Sequence, residues 1–252
     1  MSKKANKGGM RFVEMANYER PEVVENVQDD YVSYGADNNY YGDIIERYLG
    51  SPTNARCING ISDMIYGRGL EAIDRNINID SYIEMKKLID EDELRKIVGD
   101  RKLLGSGCIK VNYNKAKTKV IAIKHHPMET LRAEKTTNGV IKAYYYHPDW
   151  NNKVQGDKPK RIPTFGNGSP KDTTEVLVVR PYVSGFYYYS PCDYQASLQY
   201  SQLEEEVSNY HISNIQNGLQ PSLLVNFNNG VPSESIQQKM ESKIKQKFAG
   251  SS

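Results

Sequence analysis

The chain has 252 residues, enough for one large or two ordinary domains with a substantial core. Its apolar share is 38%, and exchanging its 19 tyrosines for its 19 glycines to match the usual count leaves that figure unchanged, below the ~45–50% of an average domain, so the core is modest and tyrosine-rich. A net charge of +2 argues against a dedicated nucleic-acid-binding domain, and three scattered cysteines without CxxC spacing argue against a disulfide framework or zinc site.

The first residues, MSKKANKGGMR, carry Lys3, Lys4, Lys7 and Arg11 with no apolar segment behind them, so they form neither a signal peptide nor an anchor. No apolar run approaches the ~20 residues of a spanning helix, and a soluble, intracellular protein is expected. Residues 1–30 lack a sustained period and read as a flexible N-terminal arm, with order beginning near Tyr31. After the turn-prone YVSYGADNNYYG, Ile44, Ile45, Tyr48 and Leu49 mark a short helix ending at Gly50. Ser51 is a good N-cap with Pro52 at the first helical position, and the helix they open is expected to bury Cys57, Ile58, Ile61, Met64 and Ile65 before stopping at Gly67 and Gly69.

A helical pattern returns from Asp80 to Leu104, interrupted around Asp90–Glu93. The period then changes to two: Ile109, Val111 and Tyr113 alternate with Lys110, Asn112 and Asn114, NKAKTK turns the chain, and residues 120–126 return as a second strand. GVIKAYYYH and TEVLVVR read as two more strands, and the Pro-, Gly- and Asn-dense stretch between them as a long surface loop. Ser190 and Pro191 repeat the cap signal and open a helix with Cys192, Ala196, Tyr200, Leu203, Val207 and Tyr210 on one face. Asn217–Gly218 end it, Leu223 to Phe227 form a strand, Asn229–Gly230 turn, and a last helix carries Ile236, Met240, Ile244 and Phe248 before a Gly250 cap. The fold class that follows is α+β, a mixed or antiparallel sheet packed with several helices.

His125 and His126 are neighbours on a strand and point to opposite faces, so they do not share a metal, and no carboxylate has ligand spacing to them; a hydrogen-bonded strand end before Pro127 is the plainer use. His211 sits at the margin of a helical stripe and reads as structural. The GSG at 105–107 precedes a strand, where a phosphate loop would follow one, and serves as a helix-to-strand turn. Cys57 and Cys192 fall at helical positions expected to be buried and Cys108 starts a strand, all three as packing residues. No catalytic residue, cofactor or metal site is assigned. One charge pattern stands out: Arg101, Lys102, Lys110, Lys115, Lys117, Lys119 and Lys124 occur with no Asp or Glu among them, either a solvated sheet face or a patch for a phosphate backbone. Tyr144–Tyr146 and Tyr187–Tyr189 fit core and subunit-interface packing better than base stacking.

In order, YGADNNYYGDIIERYLGSPTNARCINGISDMIYGRGLE, LLGSGCIKVNYN and YYYSPCDYQASLQYSQLEEEVSNYHISNIQNGLQPSLLVNFNNGVP resemble the N-terminal part of a tailed-bacteriophage portal protein, in the tyrosine-rich form of crAss-like and related phages. The resemblance rests on the order of cap and turn motifs across residues 31–252: a Y-G-x-D-N segment entering a helix, an S-P-T cap, a Gly turn into a sheet, and an S-P helix ending in N-G. It implies a structural, non-enzymatic subunit of a dodecameric homo-oligomeric ring at one capsid vertex of the virion, assembled in the host cytoplasm. Double-stranded DNA would pass through the channel, with the terminase motor, the major capsid protein and head–tail connector proteins as partners and no membrane. It also implies that residues 31–252 form the wing-like α+β region, cut before stem, clip and tunnel loop, so that no channel residue carries over. Tyr187, Tyr188 and Tyr189, the helix after Pro191 and the lysine-rich strands are the candidate contacts. The rival readings are a nucleic-acid-binding module built on Arg101–Lys124, and an enzyme, which would need a pocket bringing His125 or His126 to a carboxylate or cysteine.

Overall fold

A computed structural model describes residues 20–73, 78–136, 138–154, 156–216 and 233–248. The architecture is α+β, and the chain divides into two compact units, residues 1–199 and 200–252.

In the first unit, β1 (Val23–Val24) pairs antiparallel with β2 (Ser33–Tyr34), so strand pairing already occurs upstream of Tyr31. Four helices follow: α1 (Tyr40–Gly50), α2 (Pro52–Tyr66), α3 (Ile79–Leu88) and α4 (Glu91–Leu103). Local chemistry sets their ends. Ser51 Oγ accepts from the Asn54 N–H at 3.2 Å with Pro52 at the first helical position, and Asp90 Oδ1 accepts from the Asp92 N–H at 3.2 Å, dividing α3 from α4 where the sequence predicts an interruption. Ser51→Ala should therefore cost about 1–2 kcal/mol in urea denaturation; an unchanged midpoint would show that the cap does not hold α2.

Two three-stranded antiparallel sheets form the rest. One has the order β4 (Val120–His126), β3 (Gly107–Tyr113), β8 (Thr174–Val179); the other β5 (Leu131–Ala133), β6 (Ala143–Tyr146), β7 (Lys160–Pro163). They join where the Phe165 N–H donates to Val176 O at 2.9 Å, beside a parallel Thr164–Val176 bridge. Between them and α1 lies one core: Val32, Tyr34, Tyr40, Tyr41, Ile44, Leu104, Cys108, Met128, Leu131, Tyr144, Val176 and Tyr189. It is the tyrosine-rich core that the composition implies.

Several expectations are corrected. The long surface loop contains β7, which pairs with β6 through Ala143–Pro163 to Tyr146–Lys160; both β7 and the three-residue β5 are too short to show a period. Helix α2 turns Ile58 and Tyr66 inward, while Cys57, Met64 and Ile65 are exposed and Ile61 is 36% exposed. The apolar spacing identified the helix but not its buried face, because α2 packs on α4 along its more polar side, with Arg95 over the Tyr66 ring at 3.8 Å. The helix placed after Ser190–Pro191 starts later: Ser190 Oγ donates to Pro181 O at 2.6 Å, the Cys192 N–H is taken by Tyr40 Oη at 3.2 Å, and a 3₁₀ turn at Gln195–Ser197 intervenes before α5 (Leu198–Gln216). Tertiary partners for Ser190 and Cys192 outcompete the cap.

The second unit holds α5 beyond Gln199 and α6 (Glu234–Phe248). Tyr200, Leu203, Val207 and Tyr210 are exposed along α5, as are Ile236 and Met240 on α6. The expected strand at Leu223–Phe227, the Asn229–Gly230 turn and the Gly250 cap lie outside the described residues.

Candidate functional site

The Y-G-x-D-N segment builds a left-handed loop. Gly35, Asp37 and Asn38 have φ of 81°, 51° and 61°, and a Cβ on Gly35 would stand 2.7 Å from Tyr40 Cβ, so glycine is required there. The Asn38 side chain accepts from the Tyr34 N–H at 3.0 Å and from Arg132 Nε at 2.5 Å, while Arg132 Nη2 donates to Asn38 O at 2.6 Å. Arg132 is 2% exposed, donates from Nη1 to Glu129 O and Leu131 O at 2.9 Å each, and lies 5.3 Å from the Tyr41 ring and 5.1 Å from that of Trp150. Its charge is thus met by carbonyls and aromatic faces, and burial lowers its pKa below the ordinary guanidinium value. This clamp fixes the loop that launches α1, and nothing in the sequence linked Arg132 to Asn38.

The tyrosine run is mostly internal. Tyr189 stacks on Tyr34 at 4.2 Å, donates to Val32 O and accepts from the Ala133 N–H at 3.0 Å; Tyr188 Oη accepts from the Thr136 N–H at 3.2 Å. Both are buried, so of the three tyrosines assigned to a subunit interface only Tyr187, 51% exposed, presents surface. Their hydroxyls tie the segment to β5 and the residues just after it, a use that alternation along a strand does not reveal.

The basic stretch is dispersed. Lys102 pairs with Asp193 at 2.7 Å, Lys117 with Glu175 at 2.6 Å, and Lys119 with Glu84 at 3.5 Å. Arg101 is on α4 and half-buried, Lys115 is exposed in the β3–β4 turn, and Lys110 and Lys124 are direct cross-strand partners. Glu175 is 1% exposed: burial raises its pKa, but hydrogen bonds from Lys117, the Gly166 N–H (2.9 Å) and Tyr113 Oη (3.1 Å) outweigh that and leave it below the ordinary carboxylate value. The lysine-rich turn is thereby anchored to β8 through a carboxylate 58 residues away.

His125 and His126 do face opposite sides. His125 Nε2 lies 2.7 Å from Asp100 Oδ2, and its backbone N–H donates to Glu93 Oε2 at 2.6 Å, fastening β4 to α4. The His125–Asp100 pair borders a cavity of about 450 Å³ between α1, α2, α4 and β4, whose walls include Tyr48, Ile58, Ser62 and Arg95. So the structure does bring a histidine to a carboxylate. Among the described residues, Ser62 Oγ on the cavity wall makes no hydrogen bond, and Cys108 sits opposite His126 on the other face, its thiol pushed far up by burial. His126 is buried and its pKa is lowered by burial to about 4, so it is neutral at pH 7. Cys192 is buried in a turn where a helix was expected, and burial raises its pKa to about 11; Cys57, expected in the core, is exposed. Among the described residues no group of His, Cys, Asp and Glu is arranged to hold a metal ion, and no helix is long and apolar enough to cross a membrane.

No family model matches the sequence, and no curated protein matches it. Solved structures do. A chain in the virion of a native gene transfer agent (GTA) particle aligns with a TM-score of 0.57 at 12% identity, over 93% of this chain and 60% of that one. Chains from the neck of an empty GTA particle, computed with C6 symmetry, and from the neck of a native particle, computed with C12 symmetry, both align with a TM-score of 0.56, at 13% and 12% identity and over 84% of this chain. This chain spans about three-fifths of the length of each of these, 57–60%. At such identity the likeness is one of fold: the chain shares its α+β architecture with these chains of gene transfer agent particles.

Proposed function

We propose that this chain is a structural subunit of a phage-like particle, and within it the wing-like region of a portal ring through which DNA is packaged and ejected at one capsid vertex. The observation that carries the reading is the fold shared, over 84–93% of the chain, with virion and neck chains of gene transfer agent particles, two of them from reconstructions with cyclic symmetry. The motif order that resembles portals supports it independently. Surface chemistry supports assembly as well. Met64 and Ile65 on α2 in the first unit, and Tyr200 and Tyr210 on α5 in the second, are 59–74% exposed, and unlike apolar patches on one subunit suit a heterologous contact that closes into a ring. The role is one of shape and adhesion. The dodecameric count, the virion location, assembly in the host cytoplasm and the terminase, capsid and connector partners belong to this proposal.

Electron microscopy of the full chain, expressed alone and concentrated, should show closed rings of uniform diameter. Met64→Glu/Ile65→Glu should abolish them while leaving the melting temperature within a few degrees, since both side chains are largely in water already. A full chain that remains monomeric and is missing from purified particles overturns the reading.

A further inference from the structure

We propose that the cleft between the two three-stranded sheets binds the phosphodiester backbone of nucleic acid through Lys110, Lys160 and Lys171, with Lys124 beside them. The cleft has a volume of about 220 Å³, several times the ~30 Å³ share of one water and enough for a phosphate group. Its walls carry Lys110 from β3, Lys160 from β7, Lys171, Thr173, Thr174 and Ile162.

The register explains why these cations converge. On β3 and β4, Lys110 and Lys124 are directly opposite and share the sheet face of Cys108 and His126. On the other sheet, Lys160 lies opposite Tyr146, on the face of Ile162 and Tyr144, and the Tyr146 ring meets His126 at 5.3 Å. Both faces therefore look into the same space between the sheets. Two like charges opposite one another on a strand pair, with Cβ atoms ~5 Å apart, are destabilising unless something neutralises them. No protein carboxylate does so: Lys110, Lys124, Lys160 and Lys171 make no ion pair among the described residues. The acid in the cleft, Asp172, already accepts from the Ser169 N–H and Oγ at 2.8 Å each, and the neighbouring Arg161 is held in a two-pronged contact by Glu134 at 2.5 and 3.0 Å. Unpaired ammonium groups around a phosphate-sized cleft, with hydroxyls at its rim, are what a chain of phosphates would neutralise.

The proposal does not depend on ring formation, so it can fail while the portal reading stands, and the reverse. The test is fluorescence anisotropy of a labelled DNA duplex with the full chain across salt concentrations, comparing Lys110→Gln/Lys160→Gln/Lys171→Gln with a charge-matched control, Lys87→Gln/Lys115→Gln/Lys119→Gln. The cleft variant should bind about tenfold more weakly or worse at low salt and flatten the log–log salt slope by about 2–3, roughly one for each phosphate that is no longer neutralised. The control should bind like the parent. At low salt the cleft variant should melt at or above the parent's temperature, because the Lys110–Lys124 repulsion is relieved, which separates weakened binding from impaired folding. Equal weakening of both variants overturns the site. Binding of tripolyphosphate without binding of the duplex overturns nucleic acid as its ligand.

Discussion

Arg132→Ala should destabilise the first unit by about 3–5 kcal/mol, a large part of the ~5–15 kcal/mol that holds a typical domain together. Arg132 is 2% exposed, and its guanidinium makes four hydrogen bonds and two ring contacts that Ala cannot replace, so the Asn38, Glu129 and Leu131 carbonyls lose a charged donor and a void opens between Tyr41 and Trp150. Lysine should recover only part of the loss, having no planar fork to reach Asn38 Oδ1 and Asn38 O together. The sequence's one tryptophan is a built-in reporter, since the Trp150 ring packs against that of Tyr31 at 4.7 Å and donates to Thr130 O at 2.9 Å in the same cluster. Its fluorescence in a urea titration should show the midpoint falling sharply. Tyr41→Phe is the contrast: that hydroxyl is buried with no hydrogen-bond partner, so its removal should be neutral or slightly stabilising. A cost below about 1 kcal/mol for Arg132→Ala would mean that the left-handed loop is held by something else.

The second large effect is at Glu175. Glu175→Gln removes the charge facing Lys117 and places an amide donor among three existing donors, Lys117 Nζ, the Gly166 N–H and Tyr113 Oη, at a cost of about 2–3 kcal/mol at pH 7. Lys117 keeps the carbonyls of Gly168 and Ser169 at 2.9 Å each, which limits the loss. The carboxylate's pKa is lowered in the folded state, so its contribution is fully present above the unfolded value of about 4.3 and is lost as pH falls through the lower folded value. The stability difference between parent and variant should therefore be constant from pH 7 to about 5 and shrink below about 4. A difference that is flat down to pH 3 would show that the Lys117 pair contributes nothing specific.

Both predictions concern long-range partners, and that is where a reading of the sequence stopped. Ser51–Pro52, the break at Asp90 and the GSG turn are written in short-range chemistry, and each appears in the structure as read; the alternation from Ile109 to Tyr113 does mark a strand, but not a half-buried one, because Cys108 on the Lys110 face is as buried as Val111 on the other. Ser190–Pro191 carries the same local signal and does not start a helix, because the Ser190 hydroxyl is turned to donate to Pro181 O and Tyr40 Oη takes the Cys192 N–H that a cap would bind. Cap propensity is worth about 1 kcal/mol, and a buried hydrogen bond is worth as much.

The candidate site divides in the same way. A run of seven basic residues is visible along the chain, but adjacency in sequence is not adjacency in space: Lys102, Lys117 and Lys119 meet carboxylates, and Arg101 and Lys115 lie apart on α4 and a turn. Lys110 lines the cleft and strand register sets Lys124 beside it, while Lys160 and Lys171 come from a stretch that reads as loop. By itself the sequence determined the α+β class, most helix and strand positions and the tyrosine-rich core, because propensity, capping and periodicity act within a few residues. Only the tertiary structure decided which face of α2 is buried, that Tyr188 and Tyr189 are internal, that Arg132 holds the Asn38 loop, and which lysines share a cleft. Those depend on contacts between residues far apart in the chain, 94 positions for Arg132 and Asn38 and 157 for Tyr189 and Val32, whose energies no local pattern encodes.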